Sequence, residues 1–386
     1  MSKRIGLIIG TRPEAIKVAP LVEPMMQQPG VEPVVVLSGQ HREVVADVLR
    51  EFDITVPEPL LDDRRGRSLS ELASELLVAF DAEFDRLDLD MVVVHGDTAT
   101  AFAGGLAAYF TGIPVAHLEA GLRSGNMAEP FPEEFNRVSI DSYAEVCLAP
   151  TLRAAQNLAV EGVDEDRVFI TGNTVVDALH LIQQRERTVE VDAVDCTLAH
   201  PGDLILATAH RRESWGDPMA AIMEAIVEVA EMNPAKLVAF VMHPNPALQD
   251  EARRRLGDTA NVSLLPPVPY GDLATLLSRA TLVLTDSGGI QEEACALNIP
   301  TVVLRERTER PEAVDAGVAV LAGIDYDAIV SAARLLRDRD AATFTRDVFG
   351  DGQAAQRCAQ AIAFYYGLGA RPAPFVPDDA VLEIAA

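Results

Sequence analysis

The chain has 386 residues, of which 59 are acidic and 32 are basic, and its formal net charge is −27. This acidity argues against nucleic acid as a partner, because binding to a phosphate backbone requires a basic surface. No apolar run is long enough to span a bilayer, and the first residues lead into a short strand instead of a signal peptide, so the sequence predicts a cytoplasmic protein with no membrane contact.

Size and cysteine usage limit the architecture further. A chain of this length exceeds what one hydrophobic core usually supports, so two domains are expected. The four cysteines are scattered without Cys-x-x-Cys pairs, which argues against a disulfide framework and against a zinc cluster. The acidity is typical of a surface adapted for solubility or, as a separate hypothesis, for a salty cytoplasm.

Short β-branched runs alternate with helical patterns along the chain, which is typical of parallel βαβ units. The predicted strands of the first half are residues 4–9, 33–37, 91–95, 114–118, 146–149 and 168–171, and those of the second half are residues 204–209, 237–242, 262–265, 281–285, 301–304 and 318–321. The boundary lies between the turn at Gly172 and Leu204. We predict two Rossmann-like domains whose parallel sheets face a central cleft, with the ligand at the carboxyl ends of the strands.

The first strand runs into the sequence GTRPEAIK, which is not the Gly-x-Gly-x-x-Gly loop of a dinucleotide fold. A bound nicotinamide cofactor is therefore disfavoured. Arg12 and Lys17 bracket a strand-to-helix turn, where cations can face a phosphate. The alternative is a charged helix start without a ligand.

The third strand is followed by the sequence HGDT, in which Asp97 either caps the next helix or projects into the cleft. The next strand ends near Glu119, and Glu133 lies in the loop beyond it. These three carboxylates leave neighbouring segments, so we expect them to converge. Like charges in a partly dry cleft raise one another's pKa, which would supply acids and bases near neutrality. The alternative for Glu133 is a solvated first helical turn.

In the second half, the strand at residues 204–209 ends in His210, Arg211 and Arg212. Burial of that much unpaired charge is costly, so an anionic ligand explains this cluster better than core packing does. His243 also ends a strand, where it either faces a ligand or serves as a turn residue.

The strongest local signal is the segment DSGGIQEE at residues 286–293. Gly288 and Gly289 let backbone amides approach a diphosphate, and the helix start adds partial positive charge. Ser287 can donate a further hydrogen bond, and Glu293, one turn later, can accept both hydroxyls of a ribose. A plain capped helix is the alternative, although two glycines reduce helix stability.

Taken together, motifs along nearly the whole chain resemble those of the non-hydrolysing UDP-N-acetylglucosamine 2-epimerases. They are residues 10–17 (GTRPEAIK), 40–43 (QHRE), 95–98 (HGDT), 119–125 (EAGLRSG), 132–134 (PEE), 172–177 (GNTVVD), 210–214 (HRRES), 286–293 (DSGGIQEE), 308–312 (TERPE) and 350–352 (GDG). The resemblance implies a GT-B fold, a homodimer, no metal or other cofactor, and interconversion of UDP-N-acetylglucosamine (UDP-GlcNAc) with UDP-N-acetylmannosamine (UDP-ManNAc). It also implies an N-terminal domain at residues 1–172 with a returning helix at about 352–370, a UDP-binding domain at 173–351 and a tail at 371–386.

The chemistry that the resemblance implies is an elimination. A base removes the C2 proton while UDP leaves C1, and UDP re-adds to the 2-acetamidoglucal after reprotonation from the other face. Because the C2 proton is barely acidic, stabilisation of the departing diphosphate carries much of the barrier. Motif positions assign catalysis to Asp97, Glu119, Glu133 and His210, and substrate binding to Arg12, Lys17, Arg137, Ser287, Gly288, Gly289 and Glu293. Which carboxylate serves which face of C2 is left open.

Bacterial members of this family also bind a second UDP-GlcNAc as an activator. Matching motif positions in this chain are Gln40, Glu43, Arg211 and His243, which form a candidate allosteric site. Between Asp62 and Leu69 the sequence departs from the usual family pattern near a further activator contact.

Three rival functions are weighed against this resemblance. Hydrolysing 2-epimerases are disfavoured by the sequences PEE and TERPE. Epimerases of a UDP-2,3-diacetamido uronic acid share many motifs, but Glu14 and Ala15 after the Arg-Pro pair look more like the simple N-acetylglucosamine type. A GT-B glycosyltransferase or a nucleotide-sugar sensor could keep the diphosphate loop without epimerisation.

Overall fold

The computed structural model describes residues 2–62, 68–185, 188–211, 214–337, 339, 344 and 347–377. The chain divides into two compact units. Among the described residues, the first unit contains those from 2 to 181 and from 349 to 377, and the second contains those from 182 to 348. Within the described ranges, none of the helices is long and apolar enough to cross a membrane.

The first unit is built on a parallel sheet of six strands in the order β2-β1-β3-β4-β5-β6. The strands are β1 Lys3–Ile9, β2 Val31–Leu37, β3 Met91–His95, β4 Val115–Leu118, β5 Val146–Ala149 and β6 Val168–Ile170. Every residue of β3, β4 and β5 is buried, which explains their continuous apolar runs. The order reverses between β1 and β3, and at such a point the two following loops diverge and leave a crevice.

The second unit has the same architecture, with six parallel strands in the order β12-β11-β10-β7-β8-β9. They are β7 Leu204–Thr208, β8 Leu237–Val241, β9 Val262–Leu265, β10 Ala280–Thr285, β11 Thr301–Val303 and β12 Ala319–Leu321. Here the order reverses between β7 and β10, whose last residues, Thr208 and Thr285, are register partners. All twelve strands predicted from the sequence are therefore confirmed, with shifts of at most a few residues at their ends.

Helices cover both sheets. They are α1 Arg12–Val18, α2 Val22–Gln27, α3 Arg42–Glu51, α4 Leu69–Leu87, α5 Ala99–Thr111, α6 Glu133–Tyr143, α7 Leu152–Val160, α8 Thr174–Gln183, α9 Asp192–Leu198, α10 Asp217–Met232, α11 Pro246–Leu256, α12 Tyr270–Arg279, α13 Gly288–Ala296, α14 Pro311–Asp315, α15 Tyr326–Arg337 and α16 Ala354–Tyr365, with 3-10 turns at Ala19–Leu21 and Glu165–Arg167. The cores consist of apolar residues, most of them aliphatic, from strands and inward helix faces.

The bounds of the first unit differ from the domain bounds given by the sequence, at residue 172 and at residue 371. Most of α8 packs with the first unit, because the Asp177 carboxylate accepts hydrogen bonds from the backbone N–H groups of Ala354 (3.2 Å) and Ala355 (2.8 Å) at the start of α16. The segment after α16 also returns to this unit, where Phe375 N donates to Ile170 O at 2.8 Å. One buried carboxylate thus holds the returning helix in place.

This carboxylate gives a pH-dependent prediction for stability. Burial raises the pKa of Asp177 to about 6, with a further contribution from Asp351, although the amides of Ala354 and Ala355 oppose the shift. The folded state therefore keeps this proton over a range in which the unfolded state, with a pKa near 3.8, has lost it. The contribution of Asp177 to the free energy of unfolding should decrease by about 3 kcal/mol as the pH rises from about 4 to about 6.

The Asp177→Asn variant should lack this slope, because its amide does not titrate. The measurement is the difference in thermal unfolding midpoint between wild type and D177N at several pH values from about 4 to about 7. The exposed Asp195→Asn substitution in the second unit is the matched control. A D177N curve that runs parallel to the wild-type curve over the whole range would contradict the prediction.

Candidate functional site

The loop after β1 is organised by a buried carboxylate that sequence reasoning did not assign to the site. Glu14 Oε2 accepts hydrogen bonds from the backbone N–H groups of Gly10 (2.8 Å) and Thr11 (2.6 Å). Its other oxygen accepts from Thr98 Oγ1, in the loop after β3. Burial raises the pKa of Glu14 despite these hydrogen bonds. Glu14 therefore ties together the two loops at the switch point, and its Thr-x-x-Glu spacing is a capping-box signal that could have revealed it.

Glu119 lies at the end of β4 in a left-handed backbone conformation, with φ of 72°. Its Oε1 pairs with Lys17 Nζ and accepts a hydrogen bond from Asn173 Nδ2 at 2.7 Å. Its Oε2 lies 3.2 Å from His95 Nε2. All of these side chains except His95 come from segments that follow strands, and Lys17 and Glu119 are both buried. The structure thus places Lys17 directly against a carboxylate, while its predicted contact with substrate stays a prediction.

Asp97 does not cap α5. The cap is Thr98, whose hydroxyl accepts from Ala101 N at 3.0 Å, so the Asp97 side chain is left for other contacts. Asp97 Oδ2 pairs with Arg137 of α6, and Asp97 O accepts from Asn136 Nδ2 at 2.7 Å. The side chain of Asp97 remains 30% exposed, which leaves it accessible to a ligand.

Helix α6 carries both glutamates of the PEE motif, and they differ in environment. Glu134 is buried and accepts from the backbone N–H groups of Ser124 and Gly125, each at 3.0 Å, so it fixes the preceding loop. Glu133 is only half-buried and begins the helix. The structure therefore leaves Glu133 as the more accessible acid of the pair, one helical turn before Arg137.

His210, at the end of β7, is oriented by Asp286, which follows β10. Asp286 is fully buried, and its Oδ2 accepts from the backbone N–H groups of His210 (2.7 Å) and Arg211 (2.8 Å). Its Oδ1 lies 2.9 Å from His210 Nδ1, while the His210 side chain is 41% exposed. Burial alone would raise the pKa of Asp286, but the His210 ring and the backbone amides outweigh it and lower the pKa. The His210 ring is thus oriented by a buried carboxylate while a large part of the side chain stays exposed.

The helix start predicted at the glycine pair is confirmed: α13 begins at Gly288 with Ser287 at the N-cap position. The Ser287 side chain does not cap this helix, so its hydroxyl and the first amides are suited to an anion. Glu293 is buried one turn later, and its Oε1 accepts from Tyr270 Oη at 2.8 Å. This hydrogen bond holds the Glu293 carboxylate in a fixed orientation.

A buried ion-pair group from the TERPE segment lies beneath the α13 start. Arg310 Nε donates to Glu292 Oε1 at 2.7 Å, and Glu309 is bound by both guanidinium nitrogens of Arg305 at 2.9 Å each. Burial would raise the pKa of Glu309, but Arg305 and Arg310 lower it strongly. A Cβ at Gly288 would lie 2.6 Å from the Arg310 guanidinium. Gly288 is thus required by close packing under the helix start.

We expect the Gly288→Ala variant to lose about 1–3 kcal/mol of stability and to bind UDP at least about 10-fold more weakly, because Arg310 is held by its partners and the helix start must shift instead. UDP titration calorimetry and thermal unfolding measure the two effects. Gly289→Ala is the matched control for stability, since a Cβ there meets no atom within 4 Å. Equal stability of G288A and G289A would contradict this account.

The four candidate allosteric residues are divided between the units. In the first unit, Gln40 Oε1 accepts from Thr100 Oγ1 at 2.8 Å, and Glu43 is exposed in the first turn of α3. In the second, Arg211 Nε donates to Asp286 O at 3.0 Å, and the His243 ring stacks on that of His210 with centroids 6.2 Å apart. The segment after Asp62 that departs from the family pattern lies outside the described residues up to residue 67, as do Arg212 and Glu213.

Two Rossmann-like units, each with a parallel sheet of six strands, place the chain in the GT-B fold class of nucleotide-sugar enzymes. A family model described as UDP-N-acetylglucosamine 2-epimerase matches residues 24–363. The UDP-N-acetylglucosamine 2-epimerase of Bacillus subtilis (strain 168) is 40% identical over 370 residues, covering 94% of this chain and 96% of that protein. The chain belongs to the UDP-N-acetylglucosamine 2-epimerase family.

Solved structures agree with this assignment. The S. aureus MnaA-UDP co-structure is similar with a TM-score of 0.89 and 38% identity, covering 97% of this chain and 100% of that one. The UDP-GlcNAc 2-epimerase from Neisseria meningitidis bound to UDP-GlcNAc has a TM-score of 0.87 and 33% identity, covering 94% and 100%. The fold class, the family and the isomerase activity predicted from the sequence are thereby confirmed.

Proposed function

We propose that this chain interconverts UDP-GlcNAc and UDP-ManNAc without net hydrolysis, with the first unit supplying proton transfer and the second binding uridine diphosphate. The observation that carries this proposal is that the two switch points bear different kinds of side chains. In the first unit, Glu119 and Asp97 are each placed against a cation, Lys17 and Arg137 respectively. In the second, the α13 start and His210 are suited to an anion.

In the proposed reaction, a carboxylate base takes the C2 proton and the C2 electron pair forms a double bond to C1 as the C1–O bond breaks. The leaving group is UDP, whose added charge is stabilised by Arg12, Ser287 and the first amides of α13. Protonation of the 2-acetamidoglucal at C2 from the opposite face, with return of the UDP oxygen to C1, completes the epimerisation. Lys17 lies against Glu119, and a neighbouring cation favours the ionised form of a carboxylate, which is the form that acts as a base.

The direct test is a proton NMR time course in heavy water, started from UDP-GlcNAc. We expect UDP-ManNAc to form and solvent deuterium to appear at C2 of both sugars, because every turnover breaks the C2–H bond. Free UDP that accumulates in proportion to product would favour hydrolysis, and turnover without deuterium would overturn the elimination. Parallel reactions with a UDP-2,3-diacetamido uronic acid test that alternative substrate.

We propose that Gln40, Glu43, Arg211 and His243 bind a second UDP-GlcNAc that activates the enzyme. The stacked His210 and His243 rings support coupling between this group and the UDP-binding residues. The test is epimerisation of pure UDP-ManNAc with and without traces of UDP-GlcNAc. Equal initial rates would overturn the activation.

We propose that the protein forms a homodimer. Helices α4 and α5 of the first unit expose large apolar side chains, with Val78 71%, Tyr109 57% and Phe110 66% exposed. The Tyr109 and Phe110 rings are neighbours, with centroids 6.4 Å apart, and exposed apolar clusters of this kind are typical of interaction sites. Light scattering after size-exclusion chromatography should give twice the chain mass of 41.5 kDa. A monomer at assay concentrations would contradict the dimer.

We also propose that the reaction takes place in the cytoplasm. The four cysteines are free thiols, and burial raises the pKa of Cys147, Cys295 and Cys358 to about 12. Unreactive buried thiols are typical of proteins in a reducing compartment. Fractionation of the source cells tests this location.

A further inference from the structure

His117, on strand β4, is completely buried and has a hydrogen-bond partner at each ring nitrogen. Its Nδ1 lies 2.6 Å from Asp141 Oδ1, and its Nε2 lies 2.8 Å from Gly96 O. A carbonyl oxygen can only accept a hydrogen bond, and so can an ionised carboxylate. Nε2 therefore donates to Gly96 O, and next to an ionised Asp141 the Nδ1 also donates, so this geometry suits a ring that carries two protons and a positive charge.

Asp141 is equally buried, and its charge state supports this assignment. Burial would raise the pKa of Asp141, but His117 and Arg123 lower it overall, so the carboxyl is ionised. Its second oxygen accepts from Gly121 N at 3.1 Å and pairs with Arg123 at 2.7 Å. Arg123 in turn binds Glu161 through two nitrogens, at 2.7 and 2.6 Å. Two cations and two anions thus balance, which is what a buried ionic group requires.

Other titratable groups close to this pair are consistent with a buried negative charge at Asp141. Cys147 is the register partner of His117 on β5, and burial together with Asp141 raises its pKa to about 12, although Arg167 and Arg123 oppose the shift. Burial and Asp141 also raise the pKa of Tyr143, two residues further along α6.

The contacts of this pair join the three segments that carry the proposed acid/base groups. Gly96 immediately precedes Asp97. His117 and Gly121 stand two residues before and two residues after Glu119. Asp141 belongs to α6, the helix that begins with Glu133.

We infer that His117 and Asp141 are positioning residues for the epimerisation, and that the charged ring fixes the relative placement of the loops that bear Asp97, Glu119 and Glu133. This inference rests on the proposed function of those carboxylates. Neither His117 nor Asp141 is exposed, so their effect on the reaction is transmitted through backbone. Small displacements of reacting groups lower the reaction rate strongly, so loss of this pair should lower kcat.

Two conservative variants separate the two contacts of the ring. In His117→Asn the amide nitrogen takes the place of Nδ1 and keeps the Asp141 contact, whereas in His117→Gln it takes the place of Nε2 and keeps the Gly96 contact. We expect both to lower kcat about 10- to 100-fold while KM for UDP-GlcNAc changes less than about 3-fold, because the loops shift without loss of the UDP-binding unit. Tyr143→Phe, on the same helix, is the matched control and should keep wild-type kcat, since the Tyr143 hydroxyl has no hydrogen-bond partner among the described residues.

The second measurement reports the charged ring directly. In protein labelled with 15N-histidine and saturated with UDP, we expect ring signals with both nitrogens protonated, and these signals should disappear in H117N. A wild-type His117 ring with one proton would overturn the inference. So would variants that unfold at lower temperature but keep wild-type kcat per folded molecule, because that result defines a purely structural role.

The proposed function and this inference fail in distinguishable ways. Wild-type protein that does not exchange the C2 proton refutes the epimerisation, whatever the state of His117. Active wild-type protein with unaffected H117N and H117Q refutes only the positioning role.

Discussion

Substitution of Glu119 with glutamine is expected to lower kcat for epimerisation by about 10²- to 10⁴-fold, the usual effect of losing a general acid–base group. The amide oxygen can still accept from Asn173 and Lys17, which contact the same carboxylate oxygen in the wild type. The fold should therefore be preserved, and the loss should fall on proton transfer. The measurement is the rate of UDP-ManNAc formation together with the rate of deuterium uptake at C2.

The comparison of these two rates assigns the face on which Glu119 acts. Loss of both rates in E119Q places Glu119 at the step that removes the proton of UDP-GlcNAc. If deuterium still enters C2 of UDP-GlcNAc while little UDP-ManNAc forms, Glu119 lies on the opposite face of C2, where it protonates the intermediate. Glu145→Gln, the same substitution at an exposed residue, is the control. An E119Q enzyme within about 3-fold of wild type in both rates would remove Glu119 from proton transfer.

The sheets were predictable because their strands are buried on both faces. Such strands have almost no polar positions, so runs like that of β3 stand out between turn residues and helices. The carboxyl ends of such strands predict where a ligand binds, and that is why Asp97, Glu119, His210 and Ser287 were chosen as candidate site residues from the sequence; their contact with substrate stays a prediction.

The partners of these residues were not predictable in the same way. Lys17 and Arg137 were predicted to bind substrate, and the structure adds ion pairs with Glu119 and Asp97 that the sequence did not indicate. A cation that follows a strand can face either kind of anion, and the choice depends on which loop lies beside it in the sheet. The ion pair between Lys17 and Glu119 joins residues 102 positions apart, a separation that no local pattern encodes.

Buried ionic groups were missed for a related reason. Glu14, Asp141 and Arg310 lie in helices or loops where a charged side chain is ordinarily solvated. Their burial follows from long-range partners, such as Thr98 for Glu14 and His117 for Asp141. Similarly, Asp97 and Thr98 are both good N-cap residues, and only the backbone geometry decides that Thr98 caps α5.

The second large effect is expected for Asp286→Asn, in the second unit. Asp286 holds the His210 ring and two backbone N–H groups at the switch point between β7 and β10. Asparagine is similar in size, but its neutral amide cannot replace the charged carboxylate beside the His210 ring. We expect kcat to fall by about 10²-fold or more, because His210 loses the contact that orients it in the reaction proposed above.

The D286N substitution should also lower the free energy of unfolding, by an amount that depends on pH. Because the pKa of Asp286 is lowered in the folded state, its stabilising contribution is present above the ordinary value of 3.8 and is lost as the pH falls through the lower folded pKa. D286N should therefore be less stable than wild type at neutral pH by about 1–3 kcal/mol, and the difference should shrink below about pH 4. Urea unfolding at neutral and acidic pH measures it.

The exposed Asp250→Asn variant provides the matched control, because its ion pair with Arg253 is solvated and should contribute little at any pH. If D286N loses stability while kcat is retained, Asp286 serves the fold of the second unit and His210 needs no orientation for the reaction. If kcat falls while UDP affinity is unchanged, His210 acts on the leaving group in the transition state and not on bound UDP. Comparison of the loss in kcat with the loss in UDP affinity therefore distinguishes ground-state binding of the diphosphate from its stabilisation during departure.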